Sequence, residues 1–243
     1  VIIGSSVDRV MANRIQVSFG LVTLLFAASM LPTVTAESAV ELDDPIWLAQ
    51  SDLGLEAIAQ GGENAQKVLV AGAEGYARLL DGSDPTVQVE LATPTDHTIR
   101  AIDWHPRGKT ALLVGDNGLM LRYVAEDHSV TTVTGSAQLN GVGIAAVAWN
   151  AAGSVAYVGG ENGWIWAYHE GQDGQGVFEL ITEEAGSDIT DIACQEEAQL
   201  CAVTTESDGI ALIDTNTNHT MYWGCLLYTS PSPRDPTLCR MPS

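Results

Sequence analysis

A repeat of 45 residues is the feature of this sequence that most restricts its fold. Three segments that begin at Ile99, Ile144 and Ile189 lie 45 residues apart and share one pattern of apolar and turn-forming residues. The aligned positions include Trp104, Trp149 and Cys194, then Gly118, Gly163 and, displaced by one residue, Gly209. Periods of this length are typical of repeat architectures, in which each repeat is one supersecondary element that buries its apolar face against its neighbours.

An earlier and weaker copy precedes these three. The segment from Lys67 to Gly82 has the same order of apolar and turn residues, and Gly75 takes the place of Gly118 at a spacing of 43 residues. The first strand of this copy is expected near Leu55 to Ala59. The sequence therefore predicts four copies of one structural element.

Each copy is expected to form four short β-strands. In the second copy, the alternating residues from Ile99 to Trp104 predict a first strand, and the apolar runs Ala111–Val114 and Leu119–Val124 predict the next two. A fourth strand is expected at Val130–Val133. The dipeptide Asn117-Gly118 favours a tight hairpin between the second and third strands, because both central residues of that turn need a positive φ.

The prediction for the whole chain is an all-β fold, because no segment after residue 36 keeps the apolar period of an α-helix over about 11 residues. Four short strands in each repeat are typical of β-propeller blades. The pattern Trp-(His/Asn)-x-x-Gly at Trp104-His105 and Trp149-Asn150 resembles the WD-repeat and YVTN-like β-propeller family. No repeat ends in Trp-Asp, so the resemblance does not extend to the hydrogen-bonded tetrad of strict WD repeats.

The resemblance implies a ring of about six to eight blades, of which four are visible within residues 41–224. Because ring closure removes exposed strand edges, the natural chain is expected to be truncated here and to continue with further repeats. The expected blades span about residues 53–93, 97–135, 142–182 and 187–223.

The N-terminal residues are expected not to belong to the folded domain. Residues 1–10 precede Met11 and are expected to be upstream sequence read in frame. Residues 11–36 combine a basic Arg14, an uncharged apolar run and a small-x-small site at Val34–Ala36, which together are typical of a secretory signal peptide. The apolar run is short for a membrane-spanning helix. The protein is therefore predicted to be secreted or extracytoplasmic.

The C-terminal segment differs from the acidic repeats before it. Residues 225–243 contain many prolines and serines, and the string from Cys225 to Asp235 resembles an in-frame translation of a sequencing-library adapter. The segment is expected to be a disordered artefact. In that case the natural sequence is interrupted near Gly224.

The charge balance excludes some classes of partner. The chain has 10 Lys and Arg residues against 31 Asp and Glu residues, a formal net charge of −21. Binding to nucleic acid or to an anionic membrane surface needs basic patches, so neither partner is expected. The expected partner is a protein or small ligand at the mouth of the propeller channel, and an acidic surface favours a basic one.

No catalytic, cofactor-binding or firm metal site is predicted. The sequence has no Ser-His-Asp order, HExxH motif or phosphate-binding glycine loop. Asp103 and Asp191 lie within the expected innermost strands and are weak candidates for a cation site at the channel. The alternative for both is a structural hydrogen bond to a neighbouring strand.

Two motifs concern covalent modification. Cys194 and Cys201 are seven residues apart on either side of an expected hairpin turn. In an exported protein they are candidates for a disulfide, and two buried free thiols are the alternative. Asn218-His219-Thr220 is a sequon, so Asn218 is a candidate for N-glycosylation.

Alternating aromatic residues mark the third repeat. Trp164, Trp166 and Tyr168 share one face of an expected strand, which either fills the space between blades or stacks on sugars. Packing is favoured because Trp104 and Trp149 recur at equivalent positions. The residues assigned to the repeat core are Trp104, Trp149, Trp164, Trp166, Gly118, Gly163 and Gly209.

The function expected from these observations is binding rather than catalysis. Complete repeats without a catalytic set favour an exported, non-enzymatic propeller scaffold that needs no cofactor. One alternative is part of an exported propeller enzyme, a quinoprotein-type dehydrogenase or a glycan-cleaving enzyme, with its catalytic residues in other blades. Another is an assembly factor for a membrane complex. The architecture alone does not choose among them, and no oligomeric state is predicted.

Overall fold

The computed structural model describes residues 54–84, 86–171, 175–182, 186–195, 199–207 and 209–224. All of these belong to the second of two compact units, Val1–Pro45 and Ile46–Ser243. The predicted signal peptide, the residues before it and the expected artefact at 225–243 lie outside the described residues. Among the residues described, no helix has the length and apolar character needed to cross a membrane.

The described residues form four antiparallel sheets of four strands each, so the all-β prediction is confirmed. Sheet 1 comprises β1 (Leu55–Gly61), β2 (Lys67–Gly72), β3 (Ala77–Asp81) and β4 (Gln88–Glu90). Sheet 2 comprises β5 (Ile99–Trp104), β6 (Thr110–Gly115), β7 (Leu119–Val124) and β8 (Ser129–Thr132). Sheet 3 comprises β9 (Ile144–Trp149), β10 (Ala156–Gly160), β11 (Ile165–Glu170) and β12 (Gly176–Thr182). Sheet 4 comprises β13 (Ile189–Cys194), β14 (Leu200–Thr205), β15 (Ile210–Asp214) and β16 (His219–Gly224).

Each sheet is a simple meander in which the strands lie side by side in chain order. The first strands of successive sheets also lie next to one another: β1 contacts β5, β5 contacts β9, and β9 contacts β13. The four first strands therefore lie next to one another, each at an edge of its own sheet.

Three apolar clusters fill the spaces between successive sheets. In β6, Leu113 faces sheet 1 and its neighbour Leu112 faces sheet 3, because successive side chains of a strand point to opposite faces. A central strand that is buried on both faces reads in the sequence as a continuous apolar run. This is the physical reason for the run from Ala111 to Val114, where every residue is buried.

The hairpin between the second and third strands has one geometry in the first three sheets. Asn117 has φ 58° and Gly118 has φ 70°, as the sequence predicted for this turn. The equivalent residues Asn162 and Gly163 have φ 57° and 76°. Glycine tolerates this left-handed region without steric cost, and asparagine tolerates it better than most residues.

A second set of glycines ends the second strands of three sheets, and sequence reasoning missed it. Gly72, Gly115 and Gly160 have extended backbones, so their conformational freedom is not the reason for them. A Cβ at Gly115 would instead overlap the carbonyl oxygen of Thr98, which accepts a hydrogen bond from the Asp116 N–H at 3.1 Å. The recurrence of these glycines at spacings of 43 and 45 residues was the signal that could have identified them.

Candidate functional site

The loops between the second and third strands and the linkers between sheets meet at one end of the sheets. This hairpin end consists of the turns 73–75, 116–118 and 161–163 and the sheet 4 residues Glu206 and Ser207, with the linkers that lead into β5, β9 and β13. The turns of sheets 1, 2 and 3 are each bonded to the linker that follows. The Gly75 N–H donates to the His97 carbonyl at 3.1 Å, and the Gly118 N–H donates to the Val142 carbonyl at 2.7 Å. The loops are therefore held in fixed relative positions.

A second repeated contact fixes each hairpin within its own sheet. In every sheet, the N–H of the residue after the second strand donates to the carbonyl of the residue before the first strand. The donor–acceptor distances are 3.0 Å for Ala73 to Gly54, 3.1 Å for Asp116 to Thr98, 2.9 Å for Glu161 to Gly143 and 2.9 Å for Glu206 to Asp188. This bond places an acidic residue at the same point of sheets 2, 3 and 4.

Arg100 links two sheets at the hairpin end. Its Nη2 lies 3.3 Å from Asp116 Oδ2 and its Nη1 lies 3.5 Å from Glu56 Oε2 on the neighbouring sheet. The hydrogen bond to Asp116 raises the pKa of Arg100, so the guanidinium stays charged. Arg100 sits at a bulge of the first strand, a position held by Glu56, Ala145 and Thr190 in the other sheets. Sequence reasoning missed this pair, because the repeat aligns strands and does not identify partners between them.

A cavity of about 640 Å³ opens at the hairpin end of sheet 1. Glu74, Tyr76, Glu90, Thr93 and Thr95 contribute to its walls. The face of the tyrosine ring is covered by a guanidinium, with Arg78 Cζ 5.4 Å from the Tyr76 ring centroid. The wall therefore combines two carboxylates, two hydroxyls and an aromatic ring.

Asp103 and Asp191 have different environments. Asp103 is partly buried where β5 packs against β9, and its Oδ2 accepts a hydrogen bond from the Trp149 N–H at 2.7 Å. Burial raises the pKa of Asp103 to about 6, although hydrogen bonds from the Trp149 and Trp104 N–H groups oppose this effect. Asp191 is exposed on β13, where its carboxylate accepts a hydrogen bond from the Ile192 N–H at 2.8 Å. The part of the chain that the structure describes contains no group of three His, Cys, Asp or Glu side chains that could hold a metal ion.

The two cysteines of sheet 4 are joined. Cys194 and Cys201 lie opposite each other on β13 and β14, and a disulfide connects them with their Cα atoms 4.0 Å apart. Cys201 is fully buried in the apolar cluster between sheets 3 and 4, and Cys194 packs against that cluster. The bond fastens the first hairpin of sheet 4 on the side that faces sheet 3.

The sequon residue Asn218 takes part in a contact between sheets 3 and 4. Its Oδ1 accepts a hydrogen bond from the Tyr157 hydroxyl at 2.8 Å, and its Nδ2 donates to Glu179 Oε2 at 3.1 Å. Burial raises the pKa of Tyr157 to about 12, so the hydroxyl keeps its proton. The nitrogen that would carry a glycan is thus the donor to Glu179, and glycosylation of Asn218 stays a prediction.

Tyr157→Phe is expected to destabilise the folded protein by about 1–2 kcal/mol, because it leaves Asn218 Oδ1 without its donor in a partly buried site. Thermal unfolding followed by circular dichroism measures the change. The same substitution in an Asn218→Ala background should have much less effect. Equal losses in the two backgrounds would show that the hydroxyl acts elsewhere.

The aromatic residues of the repeats lie mainly in the core. Trp104, Trp149 and Trp166 are 7%, 6% and 2% exposed, and Trp164 is partly buried and stacks on Trp166 with 5.3 Å between ring centroids. Tyr168 is buried as well. Most of the aromatic stripe is therefore occupied by packing between sheets 2 and 3 and is not available for stacking on a sugar.

The hairpin end offers a surface whose chemistry suits a cationic group. The exposed carboxylates of Glu74 and Glu206 lie on loops that hydrogen bonds hold in place. Arg100 is already paired with two other carboxylates, Glu56 on β1 and Asp116 in the turn of sheet 2. In general, surface carboxylates held in place attract cationic groups through charge and help to orient them. No protein-family model and no curated protein matches this sequence.

Proposed function

We propose that the four sheets are blades of an exported β-propeller, similar to the WD-repeat and YVTN-like families, that acts as a non-enzymatic binding scaffold. Three features support the propeller: each sheet is a four-stranded meander, the first strands lie side by side, and apolar clusters join successive sheets face to face. The proposed ring has about six to eight blades, the number expected from closure.

The main support for a binding role is a set of backbone hydrogen bonds that recurs from sheet to sheet in the loops of the hairpin end. In all four sheets the residue after the second strand is bonded to the residue before the first strand, and the turns of sheets 1, 2 and 3 are also bonded to the next linker. A partner that binds there meets preorganised loops, and little conformational entropy is lost when the complex forms.

The proposed partner is a protein segment or small ligand with a basic group. The chain has a net charge of −21, and Glu74 and Glu206 are exposed at the hairpin end. Glu74 also contributes to the wall of the 640 Å³ cavity on sheet 1. Charge attraction of this kind accelerates association and weakens as salt is added.

A ten-residue oligolysine peptide tests this proposal when it is titrated into the full chain and followed by fluorescence anisotropy. We expect binding that weakens with added salt. The double variant Glu74→Gln/Glu206→Gln should weaken binding by about fivefold, since each exposed charge contributes up to about 1 kcal/mol.

The matched control removes the same charge from the opposite end of the sheets. Glu63 and Glu126 are exposed in turns there, and Glu63→Gln/Glu126→Gln should reduce binding by less than about twofold. Equal weakening by both double variants would mean that the peptide senses only net charge, and the hairpin end would lose its assigned role. An absence of any oligolysine binding would reject the basic partner.

A further inference from the structure

One repeat position differs chemically between the sheets. The residue at this position of the first strand is Ala59, Asp103, Ala148 or Ala193, and in sheets 1, 2 and 3 it faces the sheet that follows. Ala59 and Ala148 pack against the apolar clusters between their sheets. Asp103 instead places a carboxylate in the contact between sheets 2 and 3.

The carboxylate of Asp103 connects β5 and β9, which belong to different sheets and are not paired by backbone hydrogen bonds. Its Oδ2 lies 2.7 Å from the Trp149 amide nitrogen at the end of β9, across the gap between the sheets. The same junction contains the Trp149 indole, whose Nε1 is buried and has no hydrogen-bond partner among the described residues. The junction thus contains a buried polar group without a hydrogen-bond partner among the described residues, which an all-apolar contact would not have.

The other charged and titratable groups near Asp103 lie on β5 itself or on the elements that pack against it, and several of them already have ionic partners. β6 and β9 contribute no titratable side chain to the contact with β5. Arg122 of β7, on the same face as Asp103, is paired with Glu170 at 2.6 Å. The remaining groups on β5 and on the elements packed against it are Arg100, Glu56, Lys67 and Glu74, followed along the chain by His105. Arg100 is engaged with Asp116 and Glu56, and Lys67 is engaged with Asp81.

We propose that Asp103 makes the contact between sheets 2 and 3 a proton-controlled joint. When the carboxyl is neutral, it occupies the junction without a buried charge and still accepts the Trp149 N–H. When it is ionised, the hydrogen bond is stronger, but the charge has lost most of its water. The contact between sheets 2 and 3 is then weaker, and the junction passes more often from its closed state, with the bond from the Trp149 N–H to Asp103 formed, to an open state without it.

The direction of the pH effect follows from the balance between these terms. Burial raises the pKa of Asp103 to about 6 in the folded protein, above the value of about 3.9 for an exposed aspartate. Between about pH 3.9 and about pH 6, Asp103 is protonated in the closed junction and ionised in the open one. The closed state is therefore fully favoured below this range, and its stability falls as pH rises through it. A difference of about two pKa units corresponds to about a 100-fold change in the opening equilibrium.

Nuclear magnetic resonance of the Trp149 backbone amide tests the joint in the full chain. In the wild type, its chemical shift should titrate with a midpoint near pH 6. The opening constant from hydrogen exchange, corrected for intrinsic rates, should rise by up to about 100-fold between about pH 4 and pH 7. A midpoint near pH 4, or no titration, would overturn the proposal.

Two variants and one control separate the joint from general charge effects. Asp103→Asn keeps an acceptor without charge, and Asp103→Ala installs the residue found in the other three sheets. Both should abolish the titration at Trp149, whereas Asp191→Asn, which neutralises an exposed carboxylate on another first strand, should leave it intact. Persistence of the pH dependence in Asp103→Asn would also overturn the proposal. The variants are needed because the ring of His105 also lies against that of Trp149, with 4.8 Å between centroids. If one of the two Asp103 variants fails to fold, the other decides.

Discussion

Gly115→Ala is expected to lower the free energy of unfolding by about 3 kcal/mol or more, the largest effect that we predict for a single methyl group. The new Cβ would overlap the Thr98 carbonyl oxygen, and a side-chain rotation cannot relieve a clash with backbone. The linker must move, which strains the packing around it and breaks the Asp116 N–H to Thr98 bond. Overpacking costs about 1–3 kcal/mol, and an unsatisfied backbone group costs a similar amount.

Urea unfolding of Gly115→Ala and Gly143→Ala provides the matched comparison. The three atoms nearest to a Cβ at Gly143 would all belong to the carboxylate of Glu161, an exposed side chain that can rotate away. Gly143→Ala should therefore cost less than about 1 kcal/mol. Similar losses in the two variants would show that close approach of the linker does not determine the choice of glycine at position 115.

Trp104→Ala is expected to destabilise the protein by about 3–5 kcal/mol, the range for removing a large buried aromatic side chain. Trp104 lies between sheets 1 and 2, where its ring packs edge-on against Tyr123 with 5.5 Å between centroids. Its Nε1 also donates to the Ala59 carbonyl at 3.1 Å, which joins the two sheets. Loss of the indole therefore removes both apolar contact and a hydrogen bond between sheets.

The phenylalanine variants of Trp104 and Trp149 separate these two contributions. The two tryptophans are equivalent in the repeat and similarly buried, but the Trp149 Nε1 has no hydrogen-bond partner among the described residues. Trp104→Phe should cost about 1 kcal/mol more than Trp149→Phe in chemical denaturation, because only Trp104 loses a hydrogen bond. An equal or larger loss for Trp149→Phe would contradict the assignment of the indole bond.

The two tryptophans also indicate why local sequence could not predict their roles. Gly61 lacks a Cβ at the point where the Trp104 ring lies, so the indole reaches the Ala59 carbonyl. Trp149 has the same spacing in the repeat and instead packs edge-on against the ring of His105, 4.8 Å between centroids. One residue type at one repeat position thus acquires different contacts from the neighbouring sheet.

The sequence by itself determined the number of strands in each repeat, their order and the hairpin geometry. These features depend on contacts within a few residues: alternation sets the exposed and buried faces, and Asn117-Gly118 supplies the two positive φ angles of the turn. The period of 45 residues then carries the same pattern through all later copies. Each copy with a similar local sequence therefore forms the same strands and turns.

Only the tertiary structure decided which side chains meet between sheets. Arg100 pairs with Glu56, Tyr157 bonds to Asn218, and Asp103 reaches the Trp149 amide, although these partners are 44 to 61 residues apart. None of these pairs leaves a periodic signal, because each occurs once and involves positions where the repeats differ. Their existence depends on how two sheets pack, and a buried polar group finds its partner only after that packing is formed.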